Sequence, residues 1–266
     1  MASGKTLTID SFPGSAFRHF DADAIVCMSV MLSSTALVTA VAQGRRAFVA
    51  GSEAEARSRA ATLPDACLMG SLDGAPLEGF ECLDSPTALL RQPLTRPLVL
   101  FAPPGTDLIV NAAECGRVLV ASFRNMSATA RQLANSQRVA LLGAGRREEF
   151  SCEDQMAAAW IAVRMAGDGF EPADPRSAAL IQRWRDIEPS LAGWGNSAEL
   201  LRRAGRADDL DFVLRHQDDV DLPCFYRAGE VLTPARATDR GAEDPGGLPE
   251  LALTSEAQAS KAGRTS

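Results

Sequence analysis

The chain has 266 residues, 46% of them hydrophobic, and a formal net charge of −7. That length and apolar content are enough to bury a core without disulfide or metal staples, as one large domain or two small ones. The acidic balance argues against a nucleic-acid footprint, which needs a clustered Lys/Arg surface to displace counterions, and favours a small-molecule or protein partner.

In chain order, residues 1–19 contain no apolar run and are read as an irregular lead-in. They also lack a leader's hydrophobic core, and no window reaches the length of a membrane span, so a soluble, unexported protein is expected. AIVCMSVM (24–31) reads as a buried strand, and SSTALVTAVAQG as a helix with Ser33 or Ser34 as N-cap and Gly44 as the stop. RAFVAG predicts a strand and SEAEARSRAATL a helix capped by Ser52, with acids at the positive end of its dipole. ACLMGS is a further strand, entering a loop, LDGAPLEGFECLDSP, too rich in Gly and Pro to be regular. PLVLFA leads to PPGTD, RVLVAS to a helix starting near Asn125, and RVALLGAG to the helix of FSCEDQMAAAW.

From 167 the chain turns helical, in DPRSAALIQRWRDI, SAELLRRAG and DDLDFVLRHQ, before an extended DLPCFYRAGEVL. Beyond Pro234 no aliphatic period remains, and 233–266 is expected to be a disordered tail. Alternating strands and helices of this kind predict an α/β domain over 20–232, three-layered, with a largely parallel sheet flanked by helices. The irregular 71–86 loop separates two groups of units and leaves a bilobed arrangement open.

Six cysteines (Cys27, Cys67, Cys82, Cys115, Cys152, Cys224) stand far apart with no C-x-x-C pair, which predicts a reducing, cytoplasmic setting and no zinc site. Phosphate-binding, dinucleotide, nucleophile-elbow and zinc-protease motifs are absent. His19 and His216 have no partner motif and are read as structural; Trp160, Trp184 and Trp194 lie in helical segments and are read as core or interface.

In an open parallel sheet, ligands sit beyond the carboxyl ends of the strands. Those loops here supply Ser33, Ser34 and Thr35; Ser71 and Asp73; Glu81, Asp84 and Ser85; Gly105, Thr106 and Asp107; Ser122, Arg124 and Asn125; and Arg146, Arg147, Ser151, Glu153 and Asp154. Hydroxyls and amides at helix starts suit an oxyanion, and several carboxylates nearby suit Mg²⁺, a hard cation that takes oxygen ligands and bridges to phosphate. The same hydroxyls also cap helices in proteins of any function. Ser151 and Asp154 form an S-x-x-D capping pattern, with Glu153 or Asp154 additionally able to face the crevice.

Taken in order, these loops resemble the 2-phosphosulfolactate phosphatase family. SVMLSSTALVTAVAQG is similar to its D-V-L-R-A-T-T-T-I-V-T-A-L-x-x-G, GFECLDSP to G-F-D-x-G-N-S-P, ASFRNMSATA to G-S-F-x-N-A-x-A-x-A, and EFSCEDQMAAA to F-S-L-E-D-x-x-x-A-G, while PPGTD stands where the family has T-N-G-T-R. The departures are Ser29 and Leu32 for Asp and Arg, Ser71 and Leu72 for Glu and Arg, Pro104 for Asn, and Asp107 for Arg. A hydrogen bond between charged groups contributes about 1.5–3 kcal/mol, so three missing arginines correspond to roughly 5–9 kcal/mol of polyanion binding.

The resemblance implies a divergent Mg²⁺-dependent phosphatase acting on a phosphate monoester of a small acidic metabolite, in a family that serves coenzyme M biosynthesis and in which homo-oligomers are plausible. Asp84, Glu153 and Asp154 would be catalytic, Ser34, Thr35, Ser85, Thr106, Ser122, Asn125 and Ser151 would bind substrate, and Glu81 and Glu153 would hold the metal. The alternative is a catalytically lapsed homologue that binds a metabolite or regulates. An inward-pointing Arg124, Arg146 or Arg147 would favour the enzyme.

Overall fold

A computed structural model describes residues 4–146 and 149–239. The strands are β1 (Lys5–Ser11), β2 (Ala24–Met28), β3 (Ala47–Val49), β4 (Cys67–Leu72), β5 (Ala75–Pro76), β6 (Leu98–Phe101), β7 (Val118–Ala121), β8 (Arg138–Gly143), β9 (Phe170–Pro172), β10 (Cys224–Arg227) and β11 (Glu230–Leu232). They form one sheet in the order β5-β4-β6-β3-β11-β10-β7-β2-β8-β1-β9. The helices are α1 (Ser33–Ala42), α2 (Glu53–Ala61), α3 (Pro86–Leu90), α4 (Gly105–Asn111), α5 (Met126–Leu133), α6 (Cys152–Ala166), α7 (Pro175–Trp184), α8 (Asn196–Arg203), α9 (Ala207–Arg215) and α10 (Pro234–Asp239).

Two parallel groups, β4-β6-β3 and β7-β2-β8-β1-β9, are joined by the β10–β11 hairpin, which runs antiparallel to both neighbours. The units before and after the 71–86 loop therefore do not form separate groups: β2 joins β7 and β8, β6 joins β3 and β4, and all belong to one continuous sheet. Three successive reversals, from β3 to β11 to β10 to β7, leave the two parallel groups running in opposed directions.

Central strands read as unbroken apolar runs because both their faces are covered. In β2, Ala24, Val26 and Met28 pack with Leu119, Leu141 and α6 residues such as Met156 on one side. Ile25 and Cys27 pack with Val120, Leu142 and the α1 residues Leu37 and Val38 on the other. Trp160 and Trp184 belong to the first of these cores, with the Trp160 indole N–H donating to Trp184 O at 2.9 Å, whereas Trp194 is 83% exposed. All six cysteines are free. Among the described residues no helix is long and apolar enough to cross a membrane.

The N-terminus differs from expectation: part of the supposed lead-in is β1, paired in parallel with β8 and β9. Its Thr6-Leu7-Thr8-Ile9 alternation buries Leu7 and Ile9 but has no apolar run to announce it. Ser33 and Ser34 also depart from expectation: Leu32 holds the cap position of α1 and both serines lie in the first turn. Ser52 caps α2 as expected, accepting from Glu55 N at 3.1 Å, and Gly44 ends α1 in the left-handed conformation. The expected tail lies mostly outside the described residues, and its first segment is α10.

Asp10, at the end of β1, accepts from Arg18 Nη2 at 2.8 Å and from Ser11 N at 2.8 Å, with His19 Nε2 at 3.3 Å. Burial alone would raise its pKa, but the hydrogen bonds from His19 and Ser11 and the Arg18 charge outweigh it and hold the group at about 2, against an ordinary 3.8. Because the folded value lies below the unfolded one, Asp10 contributes stability above about pH 4 that is lost as pH falls through about 2. Asp10→Asn should flatten acid-unfolding curves over that interval by about 1–2 kcal/mol, after allowance for solvent screening. Urea midpoints measured at several pH values would read this; identical pH slopes for the two proteins would refute it.

Candidate active site

A crevice of about 380 Å³ opens at the ends of β2, β4, β6 and β8. The loop after β2 contributes Ser29, Met31, Leu32 and Ser33; β4 and its turn contribute Ser71, Leu72, Asp73 and Gly74; Pro103 and Pro104 follow β6, and Gly145 and Arg146 follow β8. Asp84 enters from the loop before α3, and Ser151, Glu153 and Asp154 from the start of α6. The remaining wall is α8 and its exit: Ser197, Leu200, Leu201, Ala204 and Arg206.

Close packing shapes the floor. A Cβ on Gly105 would stand 2.7 Å from Ser33 Oγ and 2.8 Å from Ser29 Cβ, so only glycine lets α4 start against the β2 loop. A Cβ on Gly143 would likewise stand 2.8 Å from Asp154 Cβ.

Asp154 is buried and ties two loops together, its Oδ1 accepting from Val30 N at 2.8 Å and its Oδ2 from Gly145 N at 3.2 Å. The expected S-x-x-D cap is therefore not made. Ser151 has the extended backbone of an N-cap, but its side chain makes no capping hydrogen bond, and the Asp154 carboxylate serves tertiary amides instead. Burial and then the neighbouring Glu153 charge push the Asp154 pKa up from its ordinary 3.8, against the opposing pull of the amides.

Glu153 is 2% exposed and lines the crevice. Its Oε2 lies 3.4 Å from the Cys152 thiol, a weak donor. Burial, followed by the charge of Glu153, raises that thiol to about 12, so it stays protonated. Asp84 accepts at Oδ1 from Ser71 Oγ at 3.1 Å and from Arg206 Nη1 at 3.3 Å.

Of the residues expected to act, Asp84, Ser151, Glu153 and Asp154 line the crevice; the others are not among its lining residues. Ser34 accepts from Ser29 N at 3.1 Å, Thr35 donates to Val30 O at 2.8 Å, and Thr106 accepts from Ala102 N at 3.3 Å. Ser85 caps α3 and donates to Asp209, and Ser122 and Asn125 form a reciprocal cap before α5. These buried groups shape loops and helix starts by giving hydrogen-bond partners to polar groups removed from water. Glu81, the other expected metal ligand, is not among the lining residues and forms a bidentate ion pair with Arg96 (2.7 and 2.8 Å).

Arg146 lines the crevice, whereas Arg124 pairs with Asp219 and with Thr39; Arg147 lies outside the described residues. Leu32 and Leu72, where the resemblance has arginines, both face the crevice, and Asp107 is not one of its lining residues. Sequence reasoning missed Arg206 altogether, since it follows a helix distant in sequence from every strand-end loop.

Among the described residues, no three His, Cys, Asp or Glu side chains converge as a metal cage. Mg²⁺ commonly takes one or two carboxylates, with water and substrate phosphate completing its octahedron. A buried Glu153 bonded by a thiol, in a crevice shared with Asp84, fits that smaller requirement.

Fold and crevice together define an α/β protein with a polar crevice at its strand ends. The chain belongs to the 2-phosphosulfolactate phosphatase family: the family description "2-phosphosulpholactate phosphatase" matches residues 13–225. It is 31% identical over 217 residues to a probable 2-phosphosulfolactate phosphatase of Symbiobacterium thermophilum, covering 78% of this chain and 93% of that protein. Proteins of the same description from Synechococcus sp. strains WH7803 and CC9605 are 27% identical (82% of this chain, 88% of the relative) and 30% identical (71% and 83%).

Proposed function

We propose that the protein is a Mg²⁺-dependent phosphatase that hydrolyses a phosphate monoester of a small acidic metabolite. The observation that carries this reading is Glu153, a carboxylate buried at the wall of a strand-end crevice in a member of a phosphatase family. Glu153 and Asp84 would hold the metal, which when bound supplies positive charge against the phosphoryl oxygens. Asp84 is oriented by Ser71 and Arg206 and can accept a proton from an attacking water. Asp154 positions the β2 and β8 loops around the substrate. Arg146 adds a positive group to the wall.

The uncharged crevice positions Ser29, Leu32, Ser71 and Leu72 favour a second reading, a lapsed homologue that binds without turnover. Phosphate release from a panel of phosphorylated hydroxy acids, including 2-phosphosulfolactate, separates the two. Turnover should require added Mg²⁺ and stop with EDTA. A folded protein that releases phosphate from no panel member would favour the lapsed homologue.

A further inference from the structure

Arg206 stands between α8 and α9, at the crevice wall. Its side chain is 11% exposed, with Nε 3.0 Å from Asp209 Oδ2 and Nη1 3.3 Å from Asp84 Oδ1. Asp209 is itself fixed at its other oxygen by Ser85 Oγ at 2.7 Å, Thr87 Oγ1 at 2.7 Å and Thr87 N at 3.1 Å. Two faces of the guanidinium are thus held by a rigid frame. The third nitrogen, Nη2, is buried with no hydrogen-bond partner among the described residues. A buried guanidinium N–H without an acceptor is unfavourable, and Arg is the side chain best suited to bind an oxyanion in a fixed geometry.

We propose that Arg206 is the oxyanion receptor of this crevice, with Asp209 as its positioning residue and a phosphoryl or carboxylate oxygen of the substrate as the missing acceptor for Nη2. This rests on the phosphatase reading for the identity of the substrate, but not for the binding itself. A purely structural Arg206 would hold Asp84 and Asp209 in place and bind nothing.

The test measures binding of inorganic phosphate alone and of lactate alone to the full chain by calorimetry, for the native protein, Arg206→Gln and Arg206→Lys. Arg206→Lys keeps the charge against both aspartates and should leave the melting temperature near the native value. Both substitutions should weaken at least one anion tenfold or more, Gln more than Lys. Loss confined to phosphate identifies the phosphoryl group as the acceptor's source, and loss confined to lactate identifies the carboxylate.

A native protein that binds neither anion, or a folded Arg206→Lys protein that binds both as tightly as the native one, overturns the proposal. Phosphate release from the ester panel is scored separately. Its absence alongside Arg206-dependent anion binding would refute the phosphatase reading and leave the receptor standing.

Discussion

Glu153→Gln should lower kcat for phosphate release by about 10²-fold or more, the scale on which removal of an essential acid–base or electrostatic group acts, with little change in melting temperature. The amide matches the carboxylate in shape, so the α6 start and its packing persist, but it carries no charge to hold a cation. Glu153 is 2% exposed and accepts from a neutral thiol, so among the described residues no ion pair is broken by the change. The dependence on Mg²⁺ concentration should move to higher metal in the same experiment. Native-like turnover by Glu153→Gln at ordinary Mg²⁺ would remove this residue from the metal site.

Asp154→Ala should instead damage folding and activity together. The substitution strips the acceptor from the buried amides of Val30 and Gly145, each orphaned donor costing about 1–3 kcal/mol. It also empties the space the carboxylate fills beside Gly143, while the Cβ that Gly143 accommodates stays. A total of about 2–5 kcal/mol is expected, or a fall in melting temperature of roughly 5–15 °C for a chain of this size. Activity should fall even well below the new midpoint, because the β2 and β8 loops lose their common tie. Differential scanning calorimetry with a parallel assay reads both effects, and an unchanged melting temperature would show that these amides find other partners.

The two variants separate neighbouring carboxylates that look alike in sequence. Adjacent positions on a helix project about 100° apart. Both side chains are buried here, one bonded to a thiol at the crevice and the other to loop amides.

The sequence by itself determined the α/β class, the central strands and the helices that follow them, because apolar runs and helical spacing are local signals set by burial on two faces or one. It also determined the ordered loop blocks that resemble the phosphatase family and, of the residues assigned to catalysis, substrate or metal, four that line the crevice: Asp84, Ser151, Glu153 and Asp154. Only the tertiary structure decided which polar groups line the crevice. Ser34, Thr35, Ser85, Thr106, Ser122 and Asn125 have the right chemistry and lie near the right strand ends, yet each is spent on backbone or neighbouring side chains. The Asp154 carboxylate bridges to Val30, 124 residues away in sequence, where a local cap was the nearer expectation. β1 and the central hairpin depend on partners remote in the chain, and Arg206 reaches Asp84 across 122 residues. Such pairings are set by which surfaces meet when the sheet closes, and no local spacing of residues encodes them.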